Sequence, residues 1–147
     1  MARPRVAAGA LFTDTIGRVM LLRPTYKNHW DIPGGYVEPD ESPRAAAIRE
    51  VREELGVTAD LGPSLVVDWA PAEGEGDKLL FVFDGGALDA ATLDGVALQA
   101  DEIAEWRFVA EHDLDQYVPG RLARRLRTAL HAKAEKRSAY AEHGEEC

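Results

Sequence analysis

The sequence predicts an α/β fold, a mixed central β-sheet with helices packed on it. Three observations carry this: short alternating apolar segments recur between turn-rich loops, a segment at 43–55 has helical spacing, and a long helical segment begins near 119. With 147 residues, 46% of them apolar and 29% charged, the expected organisation is one domain over residues 1–147.

Val6 to Thr13 and Val19 to Arg23 read as strands joined by a turn at Asp14-Thr15-Ile16-Gly17. Asn28 to Tyr36 reads as a loop and short strand broken by Pro33-Gly34-Gly35. Over Pro43–Leu55, Ala46, Ile48, Val51 and Leu55 recur at helical spacing. Ser42 is the expected cap, Pro43 the first helical residue and Gly56 the stop. Leu61 to Ala70 and Lys78 to Asp84 read as strands around a polar loop, and Gly85 to Gln99 has no clear period. A strand is expected over Glu105–Val109 and a short helix over Ala110–Tyr117. A C-terminal helix is expected over about 119–140, with a frayed tail at 141–147.

Composition excludes several classes. No apolar run approaches the roughly 18 residues of a membrane span, and no signal-peptide core follows the N-terminus. The one cysteine is Cys147, so no internal disulfide forms, and a reducing cytoplasm is the expected compartment. Residues 1–120 carry 10 basic and 22 acidic side chains, whereas 121–147 carry 7 basic and 4 acidic. An acidic body repels a nucleic-acid backbone, so nucleic acid is not the expected partner. The terminal helix bears Arg121, Arg124, Arg125, Arg127, Lys133, Lys136 and Arg137, read as a solvated basic face.

The informative stretch is Gly35 to Val57. Glu50, Glu53 and Glu54 stand at i, i+3 and i+4, so the three carboxylates share one helical face. Such like charges repel, a crowding that hard cations relieve, as Mg2+ does among carboxylates and phosphates. Read alone, the same three glutamates also suit a solvated acidic face paired with Arg49 and Arg52.

The surrounding spacing is more specific. Gly35, five residues, Glu41, seven residues, then Arg49-Glu50-Val51-Arg52-Glu53-Glu54-Leu55-Gly56-Val57 resembles the Nudix box, the signature of Nudix hydrolases, at every defined position. The resemblance implies an α/β/α sandwich with a mixed central sheet. It also implies hydrolysis of a diphosphate linkage in a nucleoside diphosphate derivative through metal-activated water, with Mg2+ or Mn2+ as cofactor. It assigns Glu50, Glu53, Glu54 and Gly35 to the metal site, and Glu50, Glu53, Arg49 and Glu102 to catalysis. Arg49 orients the glutamates, while Glu41, Gly34 and Gly56 support the loop and helix. A homodimer is within the family's habit, though no interface signature is visible.

Outside the box, Glu102 is the first candidate for a further base or ligand and Glu105 the second; the alternative is that both are exposed loop acids. Arg23 and Lys78 are candidate phosphate contacts, and Trp30 a candidate stacking platform for a base, against ion pairing and core packing as the bland readings. His29 is a weaker candidate base, and Trp69 and Tyr117 are candidate pocket walls. No residue set marks coenzyme A or ADP-ribose; a nucleoside triphosphate, nucleotide sugar or dinucleotide all remain within the expected substrate class. A non-catalytic module binding a nucleotide or a protein is the alternative, which the intact glutamates disfavour.

Overall fold

The structure, a computed structural model, describes residues 1–147. Its strands are β1 Arg5–Thr13, β2 Val19–Pro24, β3 Gly34–Tyr36, β4 Ser64–Trp69, β5 Lys78–Ala87, β6 Ile103–Val109, β7 Ala139–Glu142 and β8 Glu145–Glu146. The helices are α1 Pro43–Leu55, α2 Ala90–Asp94 and α3 Gly120–Ala134, with a 3-10 turn at Glu111–Gln116. The strand order is β6-β2-β1-β5-β4-β7-β8, with β3 also paired to β1. β1 runs parallel to β5 and antiparallel to β2, so the sheet is mixed.

The period-two alternation of β1 and β2 explains the layering. Ala8, Ala10 and Phe12 of β1, with Met20 and Leu22 of β2, pack under Ala46, Ala47, Val51 and Leu55 of α1. Leu11, Val19 and Leu21 face the opposite way, against Leu122, Ala123, Leu126 and Ala129 of α3. The central strands are therefore buried on both faces, which is why they read as nearly unbroken apolar runs. No helix is long and apolar enough to cross a membrane.

α1 begins and ends where its sequence requires. Ser42 caps it by accepting from the Ala45 amide at 3.1 Å, and Gly56 closes it at φ 68°, its N–H donating to Arg52 O at 2.9 Å.

The C-terminal region departs from expectation. The helix stops at Ala134 rather than near 140, and Lys136 turns the chain at φ 55°. The expected frayed tail is instead a hairpin, β7 lying parallel to β4 and β8 antiparallel to β7. Ala139 and Ala141 are buried and alternate with Tyr140 and Glu142. The residues are small and their partner β4 is some seventy positions earlier, so no local pattern announced the pairing. The region without a clear period contains α2, capped by Asp89 through the Thr92 amide at 2.7 Å, and the expected short helix over 110–117 is a 3-10 helix at 111–116.

Candidate active site

The glutamate face of α1 lies beside β3, and the Gly34-Gly35 backbone fits against it. Glu54 is buried, only 6% exposed, and accepts from the Gly34 amide at 2.8 Å. A side chain at Gly34 would meet Ala8 O at 2.5 Å, and one at Gly35 would meet Glu50 Oε1 at the same distance. The two glycines thus let the strand approach both the neighbouring strand and the carboxylates.

Arg49 organises the remaining acids. Its Nε and Nη2 donate to both oxygens of Glu41 at 2.8 and 2.9 Å. Nη1 reaches Glu50 at 3.0 Å and Glu53 at 3.2 Å, and Nη2 also donates to Tyr36 O at 3.2 Å. Those hydrogen bonds hold Glu41 below the usual carboxylate range. Burial pushes Glu50 up, opposed by Arg49. Burial also pushes Glu54 up, to about 8, and the charges of Glu50, Asp31 and Glu102 add to it against the Gly34 hydrogen bond. Glu54 has no cation against it.

These residues suit a hard divalent cation by their chemistry: three carboxylates on one face, one of them buried without an ion-pair partner. The oxygens are not already gathered as a ligand set, because Arg49 stands between Glu50 and Glu53. Binding would therefore turn Glu53, 49% exposed, away from the arginine.

Gly35 gives the first prediction. Because the atom in the way is the end of a side chain, Gly35→Ala is expected to leave the melting temperature nearly unchanged while moving Glu50. Activity should fall by roughly ten- to a hundredfold, the scale of a misplacement of about 1 Å. Unchanged kcat/KM would show that Glu50 does not need its present place.

On the other side of Gly34 and Gly35 opens a cavity of about 520 Å³. Its floor is apolar, from Ala7, Ala8 and Gly9 of β1 and Leu80, Phe81 and Val82 of β5. Tyr26 and Tyr36, both exposed, stand on its lining. Partial desolvation of its hydroxyl, with the charges of Glu54 and Glu102, pushes the pKa of Tyr26 above the usual phenol value. The cavity's cations are mostly spoken for: Lys27 pairs with Asp31 at 2.8 Å, Lys78 with Glu75 at 2.9 Å and Arg125 with Asp68 at 2.6 Å.

The structure brings together Glu50, Glu53, Glu54, Arg49, Glu41, Gly34 and Gly35. Glu102 is exposed in the turn before β6, close enough for its charge to act on Glu50 and Glu54. Lys78 and His29 line the cavity, the former tied to Glu75 and the latter bonded through Nδ1 to Trp30 O at 3.1 Å.

Several expectations are corrected. Arg23 does not line the cavity; it pairs with Glu105 at 2.9 Å across β2 and β6. Trp106 packs on the α1 side, so its neighbour Glu105 points to the other face and away from the glutamates. Trp30 is no open platform: it meets Tyr117 edge-on with ring centres 5.4 Å apart and lies 5.1 Å from the Arg107 guanidinium. Tyr117 is part of that packing, and neither it nor Trp69 lines the cavity. The basic face of the last helix is not simply solvated. Arg121, Arg124, Arg125, Arg127, Lys133 and Arg137 all bind carbonyls or carboxylates of the same chain. Tyr26, Lys27, Asp31 and Tyr36 carried no signal as site residues; the fold sets them around one cavity.

Comparison with known proteins identifies the family. The sequence profile of the NUDIX domain matches residues 3–132. The CTP pyrophosphohydrolase of Escherichia coli (strain K12) is 48% identical over 57 residues, 36% of this chain and 42% of that protein. The human diphosphoinositol polyphosphate phosphohydrolase 3-alpha is 52% identical over 42 residues, 29% of this chain and 26% of that protein. The matched stretches thus span less than half the length of these relatives. The crystal structure of a MutT protein from Methanosarcina mazei Go1 superposes with a TM-score of 0.73 at 27% identity, covering 92% of this chain and 98% of that one.

Proposed function

The chain belongs to the Nudix family, and from that premise we propose that it is a pyrophosphohydrolase dependent on Mg2+ or Mn2+, cleaving the diphosphate linkage of a nucleoside diphosphate derivative. One observation carries this reading. The buried carboxylate of Glu54, without an ion-pair partner, shares a helix face with Glu50 and Glu53 beside a cavity of about 520 Å³.

Glu50, Glu53 and Glu54 would hold the ions, with Gly35 lying against Glu50. When bound there, a divalent cation supplies neutralisation of the phosphates and a lowered pKa for water. The rest falls to the chain's own groups. Arg49 fixes the orientation of Glu50 and Glu53, and Glu41 fixes Arg49. Glu102, exposed beside the cluster, accepts the proton of the water that attacks phosphorus. As the new P–O bond forms, the bridging P–O bond breaks and its oxygen leaves on the departing phosphate.

The cavity favours a nucleoside over a polyanion. An inositol polyphosphate needs several free cations, yet Lys27, Lys78 and Arg125 are already paired. An apolar floor flanked by Tyr26 and Tyr36 suits a base and sugar instead. A cytoplasmic site of action belongs to the same reading.

The test is a panel of diphosphates with Mg2+: CTP and other nucleoside triphosphates, UDP-glucose, a dinucleoside polyphosphate and a diphosphoinositol polyphosphate. Nucleotides are expected to be hydrolysed, and Glu53→Gln to lower kcat/KM at least about a hundredfold, or roughly 2.7 kcal/mol of transition-state stabilisation. No turnover across the panel, or a fully active Glu53→Gln protein, would refute the reading.

A further inference from the structure

The hairpin at 139–147 lies beyond the segment matched by the family profile, which ends at residue 132. It is joined to the part of α3 that walls the cavity. The turn between β7 and β8 is His143-Gly144, and Gly144, at φ 83°, sits directly on the helix. A side chain there would come within 2.7 Å of Arg121 O, 2.9 Å of Arg124 Cβ and 2.9 Å of Arg125 N.

Hydrogen bonds fasten the turn from several sides. Gly144 N donates to Asp68 Oδ1 at 3.0 Å, Thr128 Oγ1 donates to Gly144 O at 2.8 Å, and Arg124 Nε donates to His143 O at 3.0 Å. His143 N donates to Trp69 O at 2.9 Å, closing the turn onto the end of β4. Asp68 is fully buried, and its second oxygen accepts from Arg125 Nε at 2.6 Å. One carboxylate therefore joins β4, the hairpin and a cavity-lining arginine.

Arg121 lies on the same wall one turn earlier. Its Nη2 donates to Ala70 O at 2.8 Å and Pro71 O at 3.0 Å. No carboxylate partners it, and its buried Nε has no hydrogen bond. The place of this guanidinium thus depends on how α3 is seated, and the turn is what presses on α3 there.

We propose that the hairpin is a working part of the substrate site: Gly144 and Asp68 are positioning residues that set Arg121 and Arg125 as one wall of the cavity. The proposal rests on the hydrolase reading above and adds a determinant of substrate affinity. Neither Gly144 nor Asp68 lines the cavity or approaches the glutamate helix, so the chemical step lies outside their reach.

The test compares CTP hydrolysis by wild type, Gly144→Ala and Asp68→Asn, with Mg2+ saturating. Gly144→Ala adds a methyl group where backbone already stands and strains a left-handed residue, lifting the turn from α3. Asp68→Asn keeps the shape but leaves Arg125 without its counter-charge. KM is expected to rise roughly tenfold in either variant, while kcat stays within about twofold of wild type. A purely architectural hairpin would lower the melting temperature and leave KM in place, and that result overturns the proposal. Should Asp68→Asn fail to fold, Gly144→Ala alone decides. If wild type hydrolyses nothing, the hydrolase reading is what fails, and amide hydrogen exchange then judges the seating itself. Faster exchange over 120–126 in Gly144→Ala supports it, and unchanged exchange overturns it.

Discussion

Replacing Glu54 by Gln is expected to raise the melting temperature of the metal-free protein at pH 8 and to remove most of the stabilisation that Mg2+ gives wild type. Glu54 is 6% exposed and its one hydrogen bond is from the Gly34 amide. Its carboxyl moves from an ordinary 4.5 to about 8, chiefly by burial. Between those values the native protein holds a proton that the unfolded chain has released. Stability from this group is therefore complete below about pH 4.5 and is lost as pH rises towards 8. At about 1.4 kcal/mol per pH unit the loss is on the order of a few kcal/mol, as an upper bound. Glutamine still accepts from Gly34 and carries no charge, so this slope should vanish. Thermal unfolding from pH 5 to 9, in chelator and in Mg2+, checks both halves. In wild type the ion neutralises Glu54 and stabilises the fold by mass action. An identical pH slope in the variant would mean that the buried carboxylate is not the source.

Arg49→Lys is expected to lower kcat/KM by roughly ten- to a hundredfold, the range typical of groups that hold metal ligands in place. The guanidinium meets Glu41 through two parallel bonds while Nη1 reaches both Glu50 and Glu53. A lysine ammonium is a single point with no planar fork and cannot span these partners. The loss should appear partly as a higher Mg2+ requirement, measured by titrating the ion at fixed substrate. A lysine variant with wild-type activity and Mg2+ dependence would show that charge alone suffices and that orientation by Arg49 is unimportant.

Residues whose roles depend on near neighbours were readable in advance. α1 was, because its cap, its stop and its 3.6-residue period all lie within 42–56. The glutamate face follows from i, i+3 and i+4, and the bidentate Glu41–Arg49 pair agrees with the spacing of the box. The ambiguous residues were those with two equally good partners. Trp30 before Pro33-Gly34-Gly35 has the same local context whether it stacks on a base or on Tyr117. Arg23 at a strand end has the same context whether it grips phosphate or Glu105. Burial and cross-strand register choose between these, and neither is encoded locally.

Sequence alone was enough for the α1 cluster and the alternation of the central strands, since turn chemistry, capping and apolar period act over a few residues. Tertiary structure decided the rest: the cavity, the pairing of Arg125 with Asp68 and the docking of the hairpin. Lys27–Asp31 and Lys78–Glu75 are pairs four and three residues apart, but Arg125 meets Asp68 from a separate element, and that all three cations face one cavity depends on chain closure. Asp68 makes the point most plainly. Nothing local marks this lone acid in a strand as buried; it is an anchor because β4 lies between β5 and β7 with α3 packed over it. Burying this carboxylate leaves it charged at little cost because an arginine and an amide meet it, and those came from residues 125 and 144.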